Sequence, residues 1–169
     1  MTFHKLLIAN RGEIACRIIK TAHEMGISCV AVYTEADSNS PFVRMADQAI
    51  KLSDSYLNGG EIINAAKQTG AEAIHPGYGF LSENAKFARA VQKEGLIWVG
   101  PSSRVITSMG DKLKAKDIAE KAGVPTLPMT TDPKKANTIG YPILIKAAAG
   151  GGGKGMRIVE DKKDLKEAI

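Results

Sequence analysis

Short apolar runs alternate with helix-like repeats along the N-terminal part of this 169-residue chain. The run SCVAVYT, residues 28–34, is apolar at nearly every position, which is typical of a strand buried on both faces of a parallel sheet. Before it, apolar residues recur at helical spacing over 14–22, and Gly26 follows as a C-terminal cap. Strands that alternate with helices form a parallel sheet covered on both faces, so the pattern predicts an α/β fold.

The same alternation continues to residue 100, and a helical region in two parts follows over 102–125. Further strands are predicted at 4–9, 49–52, 71–77 and 96–100. Helical patterns fall at 62–70, 82–91 and 102–125. Ser82 is the predicted N-cap of the second of these, and Gly110 divides the third into two parts. The segment 36–41 is predicted to be a polar loop. In parallel sheets ligands bind outside the carboxyl ends of strands, which predicts a ligand edge formed by segments 10–13, 34–40 and 75–84.

Composition excludes several classes of protein. Hydrophobic residues make up 44% and charged residues 24% of the chain, as in ordinary globular proteins, and no apolar run reaches the roughly 20 residues that span a bilayer. The net charge of +5 is spread along the chain and aromatic residues are only 5%, so we expect neither a membrane nor a nucleic-acid partner. Cys16 and Cys29 are interpreted as reduced core residues, which favours a cytoplasmic location. The three histidines are too scattered to predict a metal site.

A glycine run, IKAAAGGGGKGMRIV at 145–159, predicts a site for phosphate. Four consecutive glycines cost roughly 2–4 kcal/mol of backbone entropy relative to alanine, which is reasonable where bare N–H groups must approach an anion. Lys154 adds a positive charge, but Gly155 stands where a P-loop needs Ser or Thr. The flanks 141–149 and 156–160 read as strands, so we predict a hairpin flap; a flexible hairpin tip is the alternative.

Five segments, in this order and spacing, resemble the biotin carboxylases of biotin-dependent carboxylases. They are IANRGEIACRI (8–18), HPGYGFLSEN (75–84), WVGP (98–101), MGDK (109–112) and IKAAAGGGGKGMRI (145–158). The resemblance implies a Rossmann-like parallel sheet with flanking helices over 1–112, a helical linker over 113–130, and an incomplete ATP-grasp portion with a glycine-rich hairpin over 131–169.

The resemblance also implies an activity. In this family ATP activates bicarbonate as carboxyphosphate, and a carrier-bound biotin is then carboxylated, which implies ATP, Mg²⁺, a biotin carboxyl carrier domain and a carboxyltransferase. The whole protein is then an acetyl-CoA or other acyl-CoA carboxylase, with a role in fatty acid biosynthesis, or a pyruvate carboxylase. The family's catalytic residues and Mg²⁺ ligands come later than residue 169, so we expect no catalytic or metal-binding residue here and no turnover by the chain alone.

Site residues follow from the same resemblance. The implied ATP-binding residues are Lys112, Lys146, Gly150, Gly151, Gly152, Gly153 and Met156. Lys112 could equally be a solvated helix residue, and Met156 could pack in the core of the hairpin. Tyr78 is implied on the biotin side, with a role in shaping a tight turn as the alternative, while His75 is interpreted as an anchor of that turn.

The resemblance implies a homodimer contact through the first helix. Arg17, Lys20 and Glu24 share one face of that helix by their spacing, and the alternative is a solvated face. Two other functions stay open, namely an ATP-grasp ligase that joins a carboxylate to an amine, and a non-catalytic Rossmann-like interaction domain.

Overall fold

The computed structural model describes residues 2–146 and 156–168, and the chain divides into two compact units, Met1–Gly110 and Asp111–Ile169. The three-part division inferred from the sequence, with its linker at 113–130, stays a prediction. Over the described ranges, no helix combines the length and the hydropathy that crossing a membrane requires.

The first unit is a five-stranded parallel sheet with helices on both faces, which confirms the predicted fold class. Its strands are β1 Lys5–Ile8, β2 Ser28–Tyr33, β3 Gln48–Lys51, β4 Ala73–His75 and β5 Ile97–Trp98, in the order β3-β2-β1-β4-β5. Its helices are α1 Gly12–Glu24, α2 Pro41–Met45, α3 Gly59–Thr69, α4 Ala85–Lys93 and α5 Ser103–Gly110.

Successive residues of each central strand enter different hydrophobic clusters. Leu7 is buried in a cluster with residues of α3 and α4, whereas its neighbours Leu6 and Ile8 are buried in a second cluster with residues of α1 and α2. Because side chains alternate across a strand, the sheet has a core on each face. This explains why the strands of the sequence are apolar without interruption.

Among the described residues, the second unit contains two helices and a two-stranded sheet. Its elements are α6 Lys112–Lys121, β6 Ile143–Lys146, β7 Met156–Val159 and α7 Leu165–Ala168, with a 3-10 turn at Pro133–Thr138 and another at Lys162–Asp164 before α7. β6 and β7 pair antiparallel, which confirms the predicted hairpin. Asp111 caps α6, since its side chain accepts hydrogen bonds from the N–H groups of Leu113 and Lys114.

Two local predictions were wrong. Ser82 is not the N-cap of α4: Asn84 is, since its side-chain oxygen accepts a hydrogen bond from Phe87 N at 3.0 Å. Ser82 instead belongs to a preceding turn in which its N–H bonds Gly79 O at 2.9 Å. The segment 36–41 is not an irregular loop, because a 3-10 turn covers Glu35–Asp37 and Pro41 opens α2, where a proline's fixed φ suits the first helical position.

A buried ion pair joins the segments that leave β1 and β2. Arg11 Nε and Nη2 donate to the two carboxylate oxygens of Asp37 at 2.6 and 2.5 Å, and the Asp37 side chain is only 5% exposed. Tyr56 OH donates to the same carboxylate at 2.7 Å and Ser40 Oγ at 3.3 Å. The hydrogen bond from Arg11, followed by those from Tyr56 and Ser40, holds the pKa of Asp37 below its usual range against the opposing effect of burial.

The ion pair predicts a pH-dependent contribution to stability. The native pKa of Asp37 lies below the unfolded value of about 3.9, so the stabilisation is present above about pH 4 and is lost as the pH falls through the native pKa. Asp37→Asn should lower the free energy of unfolding by about 1–3 kcal/mol at pH 7, the usual cost of an unsatisfied buried partner. Urea denaturation from pH 2 to pH 7 measures this. A difference from the unmodified chain that does not shrink at low pH would contradict the assignment.

The corrected cap of α4 makes a second prediction. Asn84→Ala removes the acceptor for Phe87 N and should lower the free energy of unfolding by about 0.5–2 kcal/mol. Ser82→Ala is the matched control, because Ser82 lies before the cap, and it should stay within about 0.5 kcal/mol of the unmodified chain. Urea denaturation of both variants decides the point, and a larger loss for Ser82→Ala would restore the original assignment.

Candidate functional site

The carboxyl ends of β1 and β4 form the edge at which the order of strands reverses. The two strands are neighbours in the sheet, yet the chain proceeds from β1 to β2 on one side and from β4 to β5 on the other. Such a switch point leaves a crevice between the loops that follow the two strands, and ligands of open α/β sheets bind there. Here the loops are residues 9–11 and 76–84; the first overlaps the segment 10–13 predicted from the sequence, and the second lies within the segment 75–84.

Asn10 joins these two loops. It is 2% exposed, and its Nδ2 donates to Pro76 O and to Tyr78 O, each at 2.7 Å, while its Oδ1 accepts from Arg11 N at 2.9 Å. Gly77 lies against this amide with φ 62°, and a Cβ there would come within 2.7 Å of Asn10 Nδ2. Position 77 therefore requires glycine for two reasons. The sequence analysis did not single out Asn10, although a polar residue directly after a buried strand is a usable signal.

Tyr78 presents its ring to solvent at the same edge. Its side chain is among the exposed large groups, with 58% exposure, and its hydroxyl donates to the carboxylate of Glu13 in the first turn of α1. This hydrogen bond raises the pKa of Tyr78. The Tyr78 backbone shapes the turn through Asn10, so the residue serves the turn with its carbonyl and leaves its ring accessible.

His75 is the last residue of β4 and makes a hydrogen bond within the turn that follows. Its Nδ1 accepts a hydrogen bond from Gly77 N at 3.0 Å, and burial lowers its pKa. The neutral imidazole therefore acts as an acceptor for the backbone, which confirms its interpretation as an anchor of the turn.

Lys146 and Met156 are partners across the hairpin of the second unit. The register pairs Lys146 with Met156 and Leu144 with Ile158, so these four side chains share one face of the two-stranded sheet. All four are exposed; Leu144, Met156 and Ile158 are 47%, 48% and 65% exposed. Val159, on the opposite face, is 2% exposed. The exposed face is thus an apolar platform that ends in an ammonium group.

Of the other ATP-binding residues implied by the resemblance, Lys112 is the one within the residues that the structure describes. Lys112 is the first residue of α6 and is exposed; it belongs to the same unit as Lys146 and Met156. Gly150, Gly151, Gly152 and Gly153 lie outside the described residues. Tyr78 belongs to the first unit. Three of the implied ATP-binding residues are therefore described in one unit, and the implied biotin-side residue is described in the other.

The outer face of α1 carries the residues implied at a dimer contact. Arg17, Lys20 and Glu24 are all exposed, whereas Ala15, Ile18, Ile19 and Ala22 of the same helix are buried against the sheet. The predicted separation of the helix into a core face and a charged face is thus present.

Two family models cover the two units. The model described as "Biotin carboxylase, N-terminal domain" matches residues 2–106, and the one described as "Carbamoyl-phosphate synthase L chain, ATP binding domain" matches residues 111–169.

Curated relatives match nearly the whole chain. The mitochondrial methylcrotonoyl-CoA carboxylase subunit alpha of Dictyostelium discoideum is 53% identical over 98% of this chain and 26% of its own length. The propionyl-CoA carboxylase alpha chain of Ruegeria pomeroyi is 51% identical over 99% of this chain and 26% of its own length. The 2-oxoglutarate carboxylase small subunit of Hydrogenobacter thermophilus is 47% identical over 96% of this chain and 37% of its own length. The chain therefore spans well under half the length of these relatives.

Solved structures of biotin carboxylases are similar to this chain in fold and in sequence. The biotin carboxylase of Campylobacter jejuni in complex with β,γ-ATP superposes with a TM-score of 0.93 at 46% identity, over 99% of this chain and 40% of that one. The biotin carboxylase domain dimer of the Hydrogenobacter thermophilus 2-oxoglutarate carboxylase, with MgADP, ADP and bicarbonate, gives a TM-score of 0.92 at 46% identity, over 99% of this chain and 40% of that one. With its switch-point loops, its strand–glycine–strand hairpin and a family model over most of its length, the chain belongs to the biotin carboxylase family.

Proposed function

We propose that the protein to which this chain belongs is an ATP-dependent ligase that carboxylates carrier-bound biotin with bicarbonate through carboxyphosphate. The observation that carries the proposal is the exposed pair of Lys146 and Met156 across the hairpin, in a chain that belongs to the biotin carboxylase family. Bicarbonate is a poor electrophile, and phosphorylation gives its carbon a leaving group. The protein's part is to hold ATP and bicarbonate together and to neutralise phosphate charge.

The hairpin face suits an adenine nucleotide. Leu144, Met156 and Ile158 offer exposed apolar area on which a purine ring can be buried, and burial of such area is favourable by roughly 25 cal/mol per Å². Lys146 stands at the end of this platform as a compact positive charge for a phosphate oxygen. We place Gly150 to Gly153 over the phosphates, because the chain between Lys146 and Met156 contains this run of bare backbone donors.

Lys112 is proposed as a second phosphate ligand. It is exposed at the first position of α6 and supplies a compact positive charge for a phosphate oxygen. Asp161 is a poor Mg²⁺ ligand, because its side chain already caps the 3-10 turn by accepting from Lys163 N. When bound, Mg²⁺ would neutralise phosphate charge, and we expect its carboxylate ligands from other parts of the protein, together with the phosphates themselves.

The switch-point crevice is proposed as the biotin side of the reaction. Tyr78 exposes its ring there and is held by Glu13, so a planar ureido ring can pack on it. A biotin carboxyl carrier domain and a carboxyltransferase are the expected partners. A homodimer through Arg17, Lys20 and Glu24 is proposed as well, since the Hydrogenobacter thermophilus structure is of a domain dimer.

The acceptor of the whole enzyme is proposed from the relatives. Two of the three curated relatives named above are carboxylases of propionyl-CoA and methylcrotonoyl-CoA, and the third is a 2-oxoglutarate carboxylase. They do not support the acetyl-CoA acceptor or the role in fatty acid biosynthesis that the sequence analysis expected. We therefore propose a short-chain acyl-CoA of the propionyl or methylcrotonoyl kind. Because one of these relatives is mitochondrial, the cytoplasmic location stays a prediction.

Replacing the two proposed phosphate ligands should weaken nucleotide binding. In the full-length protein, Lys146→Met or Lys112→Met should raise the Kd for ATP about 10- to 100-fold, because a hydrogen bond to a charged group contributes about 1.5–3 kcal/mol. Isothermal titration calorimetry with ATP measures this. Lys121→Met is the matched control, since Lys121 ends α6 and pairs with Asp117 at 2.7 Å. Unchanged affinity in Lys146→Met would refute the ATP site on the hairpin.

The Tyr78 hydroxyl should matter for biotin and not for ATP. Tyr78→Phe removes the hydrogen bond to Glu13 that positions the ring and should raise the KM for free biotin about 2- to 10-fold, with the Kd for ATP unchanged. Steady-state kinetics of the full-length protein test this. Tyr33→Phe is the control, because Tyr33 ends β2 and packs against the α1 side of the core. If Tyr78→Ala left the KM for biotin at its original value, the placement would be wrong.

A further inference from the structure

Three side chains with different ligand atoms converge at the amino end of the sheet. His23 lies in the last turn of α1, Cys29 is the second residue of β2, and Asp47 directly precedes β3. One imidazole nitrogen, the thiol sulfur and one carboxylate oxygen all lie within 4.8 Å of one another. Because β2 and β3 are parallel, this cluster lies at the end opposite to the switch-point crevice and belongs to no site described above.

Backbone contacts hold two members of the cluster in place. Asp47 Oδ2 accepts from Cys29 N at 2.7 Å, and Asp47 N donates to Cys29 O at 3.0 Å. The same Oδ2 lies 2.9 Å from His23 Nε2. The hydrogen bond from Cys29 N, followed by that from His23, lowers the pKa of Asp47, so the carboxylate is ionised at neutral pH. The positions of these atoms are therefore set by the fold of β2 and β3.

The cluster is open to solvent on one side only. Cys29 is fully buried, whereas the side chains of His23 and Asp47 are 40% and 49% exposed. Two of the three ligand side chains are thus accessible from solvent, and the sulfur lies within 4.8 Å of the ligand atoms of both. The solvent side leaves room for a water as a further ligand.

We propose that His23, Cys29 and Asp47 bind one Zn²⁺ ion, with a water as the fourth ligand. The mixed sulfur, nitrogen and oxygen set selects a borderline-soft cation over Mg²⁺ or Ca²⁺, which take oxygen ligands. Zinc bonds of about 2.0–2.3 Å place tetrahedral ligands roughly 3.3–3.6 Å apart, and the three ligand atoms already lie within 4.8 Å of one another.

When Zn²⁺ binds at this cluster, the protons and the charges balance. Without a metal the Cys29 thiol keeps its proton, since Sγ donates a hydrogen bond to Ile27 O at 3.7 Å. Binding breaks the S–H bond, forms an S–Zn bond and sends one proton to the buffer. The hydrogen bond between His23 and Asp47 is replaced by bonds of both groups to the ion, and the neutral imidazole keeps its proton on the ring nitrogen that does not bind zinc. The resulting thiolate and the Asp47 carboxylate together balance the 2+ charge, which leaves no net charge at this partly buried position.

Zinc and cobalt titrations of the metal-stripped full-length protein test the proposal. We expect the site to bind Co²⁺ with a thiolate-to-metal absorption band that Zn²⁺ abolishes, and calorimetry in two buffers to show release of one proton from the thiol. Cys29→Ser should remove the band. Cys29→Ser, His23→Gln and Asp47→Asn should each weaken Zn²⁺ binding at this site by more than about 100-fold, since even outer partners of metal ligands are worth 10- to 100-fold.

Matched variants keep the test decisive. Cys16→Ser and His4→Gln replace the same residue types elsewhere in the first unit and should retain both the band and the Zn²⁺ affinity. His23→Gln alters an exposed side chain, so a folding defect does not account for its loss of binding; far-UV circular dichroism checks this. A band that survives in Cys29→Ser, or Zn²⁺ affinity that survives in His23→Gln, would overturn the proposal and leave the three groups as a hydrogen-bond network that ties α1 to β2 and β3.

Discussion

The buried positions of the strands in the first unit are apolar, because helices cover the sheet on both faces. Within the described residues, Asn10 and Asp37 are the polar or charged side chains that are buried, and both follow a strand at its carboxyl end. Each is satisfied by several hydrogen bonds, as a buried polar group must be. The core on both faces therefore determines where the chemistry of the first unit can lie, namely at the ends of the strands.

The carboxyl edge is organised by links between loops that are distant in sequence. Asn10 fastens the loop after β1 to the loop after β4, and Arg11 fastens it to the segment after β2. Glu13 adds a third link, to Tyr78. Two residues of the segment NRGE thus contact the loop after β4, and the Arg11 between them contacts the segment after β2.

The two units differ in how far their strands are buried. The sheet of the first unit buries its central strands on both faces, whereas the hairpin of the second exposes one face of both strands. Exposure of Leu144, Met156 and Ile158 is unfavourable in water, and a bound purine would remove that cost. The amino end of the sheet carries the separate cluster of His23, Cys29 and Asp47, so each end of the sheet holds a polar constellation.

The sequence alone determined the elements and the family, because strand alternation, helical spacing and motifs are local patterns that survive without coordinates. It predicted the sheet, the hairpin with Lys146 and Met156, and the turn anchored by His75. Only the tertiary structure decided which polar residues meet. Residues far apart in the chain come together in the pairs Arg11 with Asp37 and Tyr78 with Glu13. The same holds for His23 and Asp47, which meet beside Cys29. The choice of Asn84 over Ser82 as N-cap also depended on how the turn after β4 closes. Such contacts depend on the register and order of the strands, which no local pattern encodes.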